Sequence, residues 1–142
     1  MYIDLLEKYK LEIEKHFKQA NIISLIPEIG NEAYIGAILK MCIKYEALTS
    51  DIMETLYKIK PRYNHPWSNT REIAKKLKIN IDIEYKHAHD AWDLYNTLKH
   101  INDKTEIDQH KLFKKYNLLN MKDAAIFVKN SLIKLIYKIK NK

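Results

Sequence analysis

An all-α fold, a four- to five-helix up-down bundle, is predicted by three observations. The chain has 142 residues but only 2 glycines and 3 prolines, so the many tight turns of an all-β protein have little to be built from. Apolar residues recur at steps of three and four along most of its length, and no stretch sustains a two-residue alternation. The clearest periodic stretch, from Asn31 to Lys60, carries a seam of Ile35, Ile38, Cys42, Tyr45, Thr49, Ile52, Leu56 and Ile59. A hydrophobic fraction of 46% suffices for one core, and residues 1–142 read as a single helical domain.

The first helix is expected from about Asp4 to Ala20, with Asp4 and Glu7 as a capping box and Leu6, Tyr9, Ile13 and Phe17 as its apolar face. Ile22 to Gly30 is apolar but interrupted by Pro27, which reads as a packed connector. The second helix, Asn31 to Lys60, has a further stripe of Tyr34, Met41 and Leu48 beside its seam and is stopped by Pro61. The stretch from Pro61 to Asn69 is the expected loop, with Tyr63 and Trp67 as exposed aromatics. A short helix follows, capped by Asn69 with Glu72, with Ile73 and Leu77 inward. Its T-R-E-I-A-K-K-L-K-I resembles the first helix of helix-turn-helix units, but the next helix is long and acidic at its start, unlike a recognition helix. That next helix spans about Asp82 to Asn102. Asp103 to Tyr116 is polar and reads as a loop with at most one or two helical turns. The last helix opens at Asn120, with Asp123 three residues on, and faces the core with Met121, Ala125, Val128, Leu132, Leu135 and Ile139.

Net charge is +7, and the excess is nearly all Lys, since Arg62 and Arg71 are the only arginines. Lysine is a point charge suited to phosphate oxygens and poor at bidentate base reading, which points to polyanions without sequence specificity. Cys42 is the only cysteine, which excludes an intramolecular disulfide and a cysteine-based zinc site, and its place in the seam reads as a buried thiol. No apolar run approaches the roughly 18 residues of a membrane span, and the N-terminus lacks signal-peptide character, so a cytoplasmic protein is expected.

The segment His87 to Asn102 carries the candidate chemistry. On a helix, His89, Asp93, Asn96 and His100 step by four, three and four onto one stripe, while Ala88, Ala91, Trp92, Tyr95 and Leu98 form the packing side. His89 and Asp93 have the spacing of two metal ligands, but His100 lies about 16 Å further along the axis and no HExxH pattern is present, so no metal and no cofactor are expected. An imidazole at His100 could instead move a proton on a phosphodiester, with Lys99 or Lys86 holding the phosphate. The same groups, with His89, Asp93 and Asn96, could bind a phosphate or base edge without turnover. A polar stripe on a helix is also, most often, simply a solvated face.

The stripe ends in N-T-L-K-H. A long helix with that ending, preceded by amphipathic helices and followed by an apolar C-terminal helix, resembles the HEPN superfamily of small helical bundles. The resemblance implies a dimer and either metal-independent endoribonuclease activity, as in toxin–antitoxin and phage-defence components, or RNA binding alone. The superfamily's pattern is Arg, a polar residue, a few variable residues and His. The polar residue matches Asn96 and the His matches His100, which the resemblance marks as catalytic. Tyr95 stands where the Arg is expected. That Arg is thought to hold the scissile phosphate, and a Tyr cannot supply its charge, so binding with weak or no cleavage is the expected activity.

The expected partners are a second copy of the chain, because the second helix has more apolar circumference than one bundle needs, and RNA or another polyanion. The rival expectation is a protein-binding module, such as an immunity, antitoxin or phage–host conflict protein, meeting an acidic partner through helix faces.

Overall fold

The computed structural model describes residues 2–61, 66–99 and 103–141, and the side chains of all of these except 2 and 103–108. Six α-helices follow in order: α1 (Tyr2–Ile23), α2 (Gly30–Thr55), α3 (Pro66–Leu77), α4 (Asp82–Lys99), α5 (Asp103–Lys115) and α6 (Met121–Lys140). One 3₁₀ turn, Pro27–Ile29, precedes α2, and no strand occurs among the described residues.

The helices form where the apolar periodicity places them. α1 buries Leu6, Tyr9, Ile13, Phe17 and Ala20, and α6 buries all six residues of its expected face. α1 and α2 pack as a helical hairpin, and α6 packs on α1, α2 and α4. α2 is central, touching α1, α3, α4 and α6. The residues expected at the junction of the second helix with the His-bearing helix (Ile38, Tyr45, Ile52, Trp92, Tyr95 and Leu98) are all buried, although α4 meets α6 more broadly than it meets α2. Cys42 is a buried free thiol, and burial pushes its pKa up.

Both apolar stripes of α2 are taken up within the chain, since Ile38, Cys42, Tyr45, Thr49 and Ile52 of one and Tyr34, Met41 and Leu48 of the other are buried against its own helices. The surplus circumference that suggested a second subunit is therefore not on this face.

Several boundaries differ from expectation. α1 begins at Tyr2, so Asp4 lies within the first turn, where its charge suits the helix dipole. Glu7 pairs with Lys140 of α6, whose hydrogen bond lowers the Glu7 pKa and ties the two terminal helices together. α3 starts at Pro66, because a proline at the first helical position wastes no amide donor. Asn69 is thus inside α3 and buried, donating to Thr49 Oγ1 at 3.5 Å. α2 ends at Thr55, five residues early, where Lys58 at φ 54° turns the chain and the Ile59 amide returns to the Met53 carbonyl at 3.0 Å. The stretch expected as a loop after the His-bearing helix contains α5, a 13-residue helix, which makes the count six. Its Lys, Glu and Gln favour helix without an apolar stripe, and Leu112 and Phe113 dock its end on the core. The expected cap of α6 is present: Asn120 Oδ1 accepts from the Asp123 amide at 2.9 Å, and Asp123 accepts from the Leu119 amide at 3.0 Å.

Candidate functional site

The candidate site lies where α3 docks between α2 and α4. Two buried polar pairs fix that docking. Thr70 Oγ1 gives its proton to the Pro66 carbonyl at 2.7 Å, which leaves the Tyr45 hydroxyl as donor to Thr70, also at 2.7 Å. Asn69 reaches Thr49 one turn further along α2. This registers Trp67 on the α2 ring of Tyr45, stacked at 5.7 Å between centroids. Trp67 then meets Trp92 edge-on at 5.7 Å, Tyr85 edge-on at 5.7 Å and His89 at 5.6 Å, all from α4. Trp92 in turn packs on Tyr95 at 4.5 Å. Offset and edge-to-face pairs of this kind add about 0.5–1.5 kcal/mol each beyond their area burial.

A cavity of about 380 Å³ opens beside this stack, lined by Trp67, Trp92, Tyr95, Asn96, Lys99 and Glu46. Asn96 and Lys99 are exposed on the last turn of α4, and the Lys99 ammonium sits 5.5 Å from the centre of the Tyr95 ring. The cavity thus combines aromatic edges, a carboxamide, an ammonium and a carboxylate. On its α2 side it adjoins a shallower groove of about 620 Å³ that carries Glu46, Asp51 and Glu54, an acidic border. Trp67 Nε1 is buried with no hydrogen-bond partner, an exception to the rule that buried donors are satisfied.

The expected site residues fall into three groups. Asn96 and Lys99 come together in the cavity. His89 and Asp93 lie up the helix, with His89 Nδ1 3.5 Å from Asp93 Oδ2, and His89 rests against Trp67, a wall of the cavity. Lys86 is exposed and does not line the cavity. His100 and Tyr63 lie outside the described residues. Trp67, expected as an exposed loop aromatic, is half-buried on α3, because the helix begins one residue before it. Tyr95, at the position expected for Arg, is buried in the aromatic stack, and the one described arginine, Arg71, lies 4.7 Å over the ring of Tyr85.

His89, Asp90 and Asp93 can bring one ligand atom each to within 4.8 Å of one another. The Asp90 carboxylate is already engaged, accepting from the Tyr116 hydroxyl and from Lys115 Nζ at 2.8 Å. Burial alone would raise the Asp90 pKa, but these two hydrogen bonds outweigh it and hold the carboxyl below its ordinary value. The same pairing and burial push the Tyr116 hydroxyl up. These links fasten the end of α5 and the turn that follows it to α4, so the cluster reads as a structural junction.

Sequence reasoning missed Glu46 and Trp92 as cavity walls. Trp92 sits at core-type spacing and Glu46 on neither apolar stripe of its helix, and only the docking of α3 brings them to a common space. No helix is long and apolar enough to cross a membrane among the described residues. Comparison with protein-family models, with curated proteins and with solved structures gave no match.

Proposed function

We propose that this chain binds RNA or another phosphate-bearing ligand in the cavity between α2, α3 and α4, with weak or no ribonuclease activity. The observation that carries the reading is the convergence of Trp67, Trp92 and Tyr95 with Asn96 and Lys99 on one cavity. A base can lie against aromatic edges, a carboxamide can meet its polar edge, and an ammonium can hold the adjoining phosphate. The acidic border formed by Glu46, Asp51 and Glu54 repels a phosphate chain on the α2 side, so the cavity suits one or two nucleotides and not a long tract. Cleavage is disfavoured because Tyr95 supplies no charge for the scissile phosphate, and Lys99 is a poorer geometric anchor than a guanidinium.

Both tryptophans of the chain line the cavity, so intrinsic fluorescence reports on it directly. Titration with short single-stranded RNA at low salt should quench that fluorescence. The effect should weaken steeply toward physiological salt as counterion release is lost. Asn96→Ala with Lys99→Ala should reduce affinity about tenfold or more. His100→Ala should weaken binding, with cleavage by the wild-type protein slow or nil. Unquenched fluorescence at low salt would refute the reading. Fast cleavage abolished by His100→Ala would show instead an active nuclease with Tyr95 tolerated in place of Arg.

A further inference from the structure

The strongest unused feature is the tip of the α1–α2 hairpin. Ile22, Ile23, Leu25, Ile26 and Ile29 are consecutive or nearly so, and all are exposed, Leu25 at 81% and Ile22 at 68%. Together they present on the order of 500 Å² of aliphatic surface, in the range of the largest patches on ordinary monomers. Beside them a groove of about 490 Å³ runs between the helices, floored by Ala33 and Gly36 and walled by Ile22 and Ile23. A Cβ placed on Gly36 would meet nothing within 4 Å, so the groove floor is open.

We infer that this tip is the self-association surface of the protein, with a second copy of the chain as its occupant. The surface carries both a knob, Leu25 and Ile26, and an apolar groove. Its polar rim is self-complementary as well. Glu32 lies toward one end of the groove and Lys40 toward the other, eight residues or about 12 Å along α2. A two-fold axis that sets two α2 helices antiparallel places Glu32 of each copy beside Lys40 of the other, as an isologous interface requires. The exposed aliphatic area supplies more than half of the ~800 Å² per partner of a standard interface, and the groove walls and charged rim add to it. An anionic lipid surface fits less well, because Glu28 and Glu32 sit among the exposed isoleucines. The inference is independent of the nucleotide reading, since neither Trp67 nor Lys99 belongs to this end.

Sedimentation equilibrium of the full chain at micromolar concentrations should give twice the chain mass of 17.0 kDa. Leu25→Asp with Ile26→Asp should raise the dissociation constant by about a hundredfold while leaving helical circular dichroism and the melting transition of the monomer unchanged. Lys40→Glu and Glu32→Lys should each weaken the dimer, and the two together should restore it. A wild-type monomer at 100 times the protein concentration used for binding assays would overturn the inference. So would a dimer indifferent to the tip variants, or co-sedimentation of a monomer with anionic phosphatidylserine vesicles that Leu25→Asp abolishes.

Discussion

Two openings lie along the same helix, and they are made of different materials. Around Glu46, α2 borders a cavity whose walls are aromatic rings already packed on one another, with polar groups at the rim. Around Gly36, it borders a groove whose neighbours are aliphatic side chains that none of the described residues covers. The difference shows what burial does to function. Trp92 and Tyr95 are held in place by the fold, so they offer a ligand a fixed wall at no further ordering cost. Leu25 and Ile26 are held by little and gain most by being taken out of water. Rigid rings with a polar rim suit a small ligand, and exposed aliphatics suit another surface.

The sharpest way to break the comparison is to truncate one residue from each region. Trp92→Ala should destabilise the chain by about 3–5 kcal/mol, because Trp92 is buried between Trp67 and Tyr95 and leaves a large void. Leu25→Ser should change the stability of the monomer by no more than about 0.5 kcal/mol. Urea unfolding of both variants below the dimer dissociation constant checks this. Equal losses would mean that the tip is part of the core and the contrast is false.

Most of the fold was legible because it rests on periodicity. The apolar faces of α1, α2, α4 and α6 could be read from spacings of three and four, since packing of those faces is what holds the helices. The ends were less legible. α3 began earlier than its Asn69 suggested because a helix can start on a proline, and α5 has no strong stripe to announce it. The candidate site was half legible. Asn96 and Lys99 could be named from the surface of one helix, but their aromatic setting depends on Tyr45–Thr70, a hydrogen bond between residues 25 apart. The exposed tip was misread as a packed connector because Ile22 to Ile29 has core composition, and composition does not say whether a partner covers it.

The two regions also differ in backbone. α3, which carries Trp67, ends in a Schellman turn: Lys78 sits at φ 56°, with the Ile79 amide on the Ala74 carbonyl at 3.1 Å. A side chain there costs about 1 kcal/mol relative to glycine, and neither of the chain's two glycines occupies such a position. Lys78→Gly should therefore stabilise the protein by on the order of 0.5 kcal/mol after the entropy of the added glycine is subtracted. Lys134→Gly, at an exposed position inside α6, should cost about 1 kcal/mol instead. The α1–α2 connection contains no residue at positive φ, so no glycine substitution there should help. Stabilisation by a glycine at Leu25 would contradict this account.

The smallest expected effect separates the regions by pH. His16 lines the tip groove with Nδ1 buried and unpaired, and burial, reinforced by Lys40, Lys44 and Lys15, lowers its pKa. The unfolded chain then takes up that proton more readily than the folded one. Stability from this group is complete above the ordinary histidine value near 6.5 and declines as pH falls below it. Asp90, near the aromatic stack, has its pKa lowered by Lys115 and Tyr116 against the opposing effect of burial. Its contribution is complete above the ordinary carboxylate range and is lost only as pH falls through the lowered value. Acidification should therefore cost the tip stability first, as pH falls below about 6.5, and the α4–α5 junction later, below the ordinary carboxylate range. His16→Gln should flatten the upper part of a melting-temperature profile and leave the lower part unchanged, while Asp90→Asn should do the reverse. A profile in which Asp90→Asn alone removes the slope near pH 6 would show that the buried imidazole finds a partner on protonation and that the tip is not the acid-sensitive end.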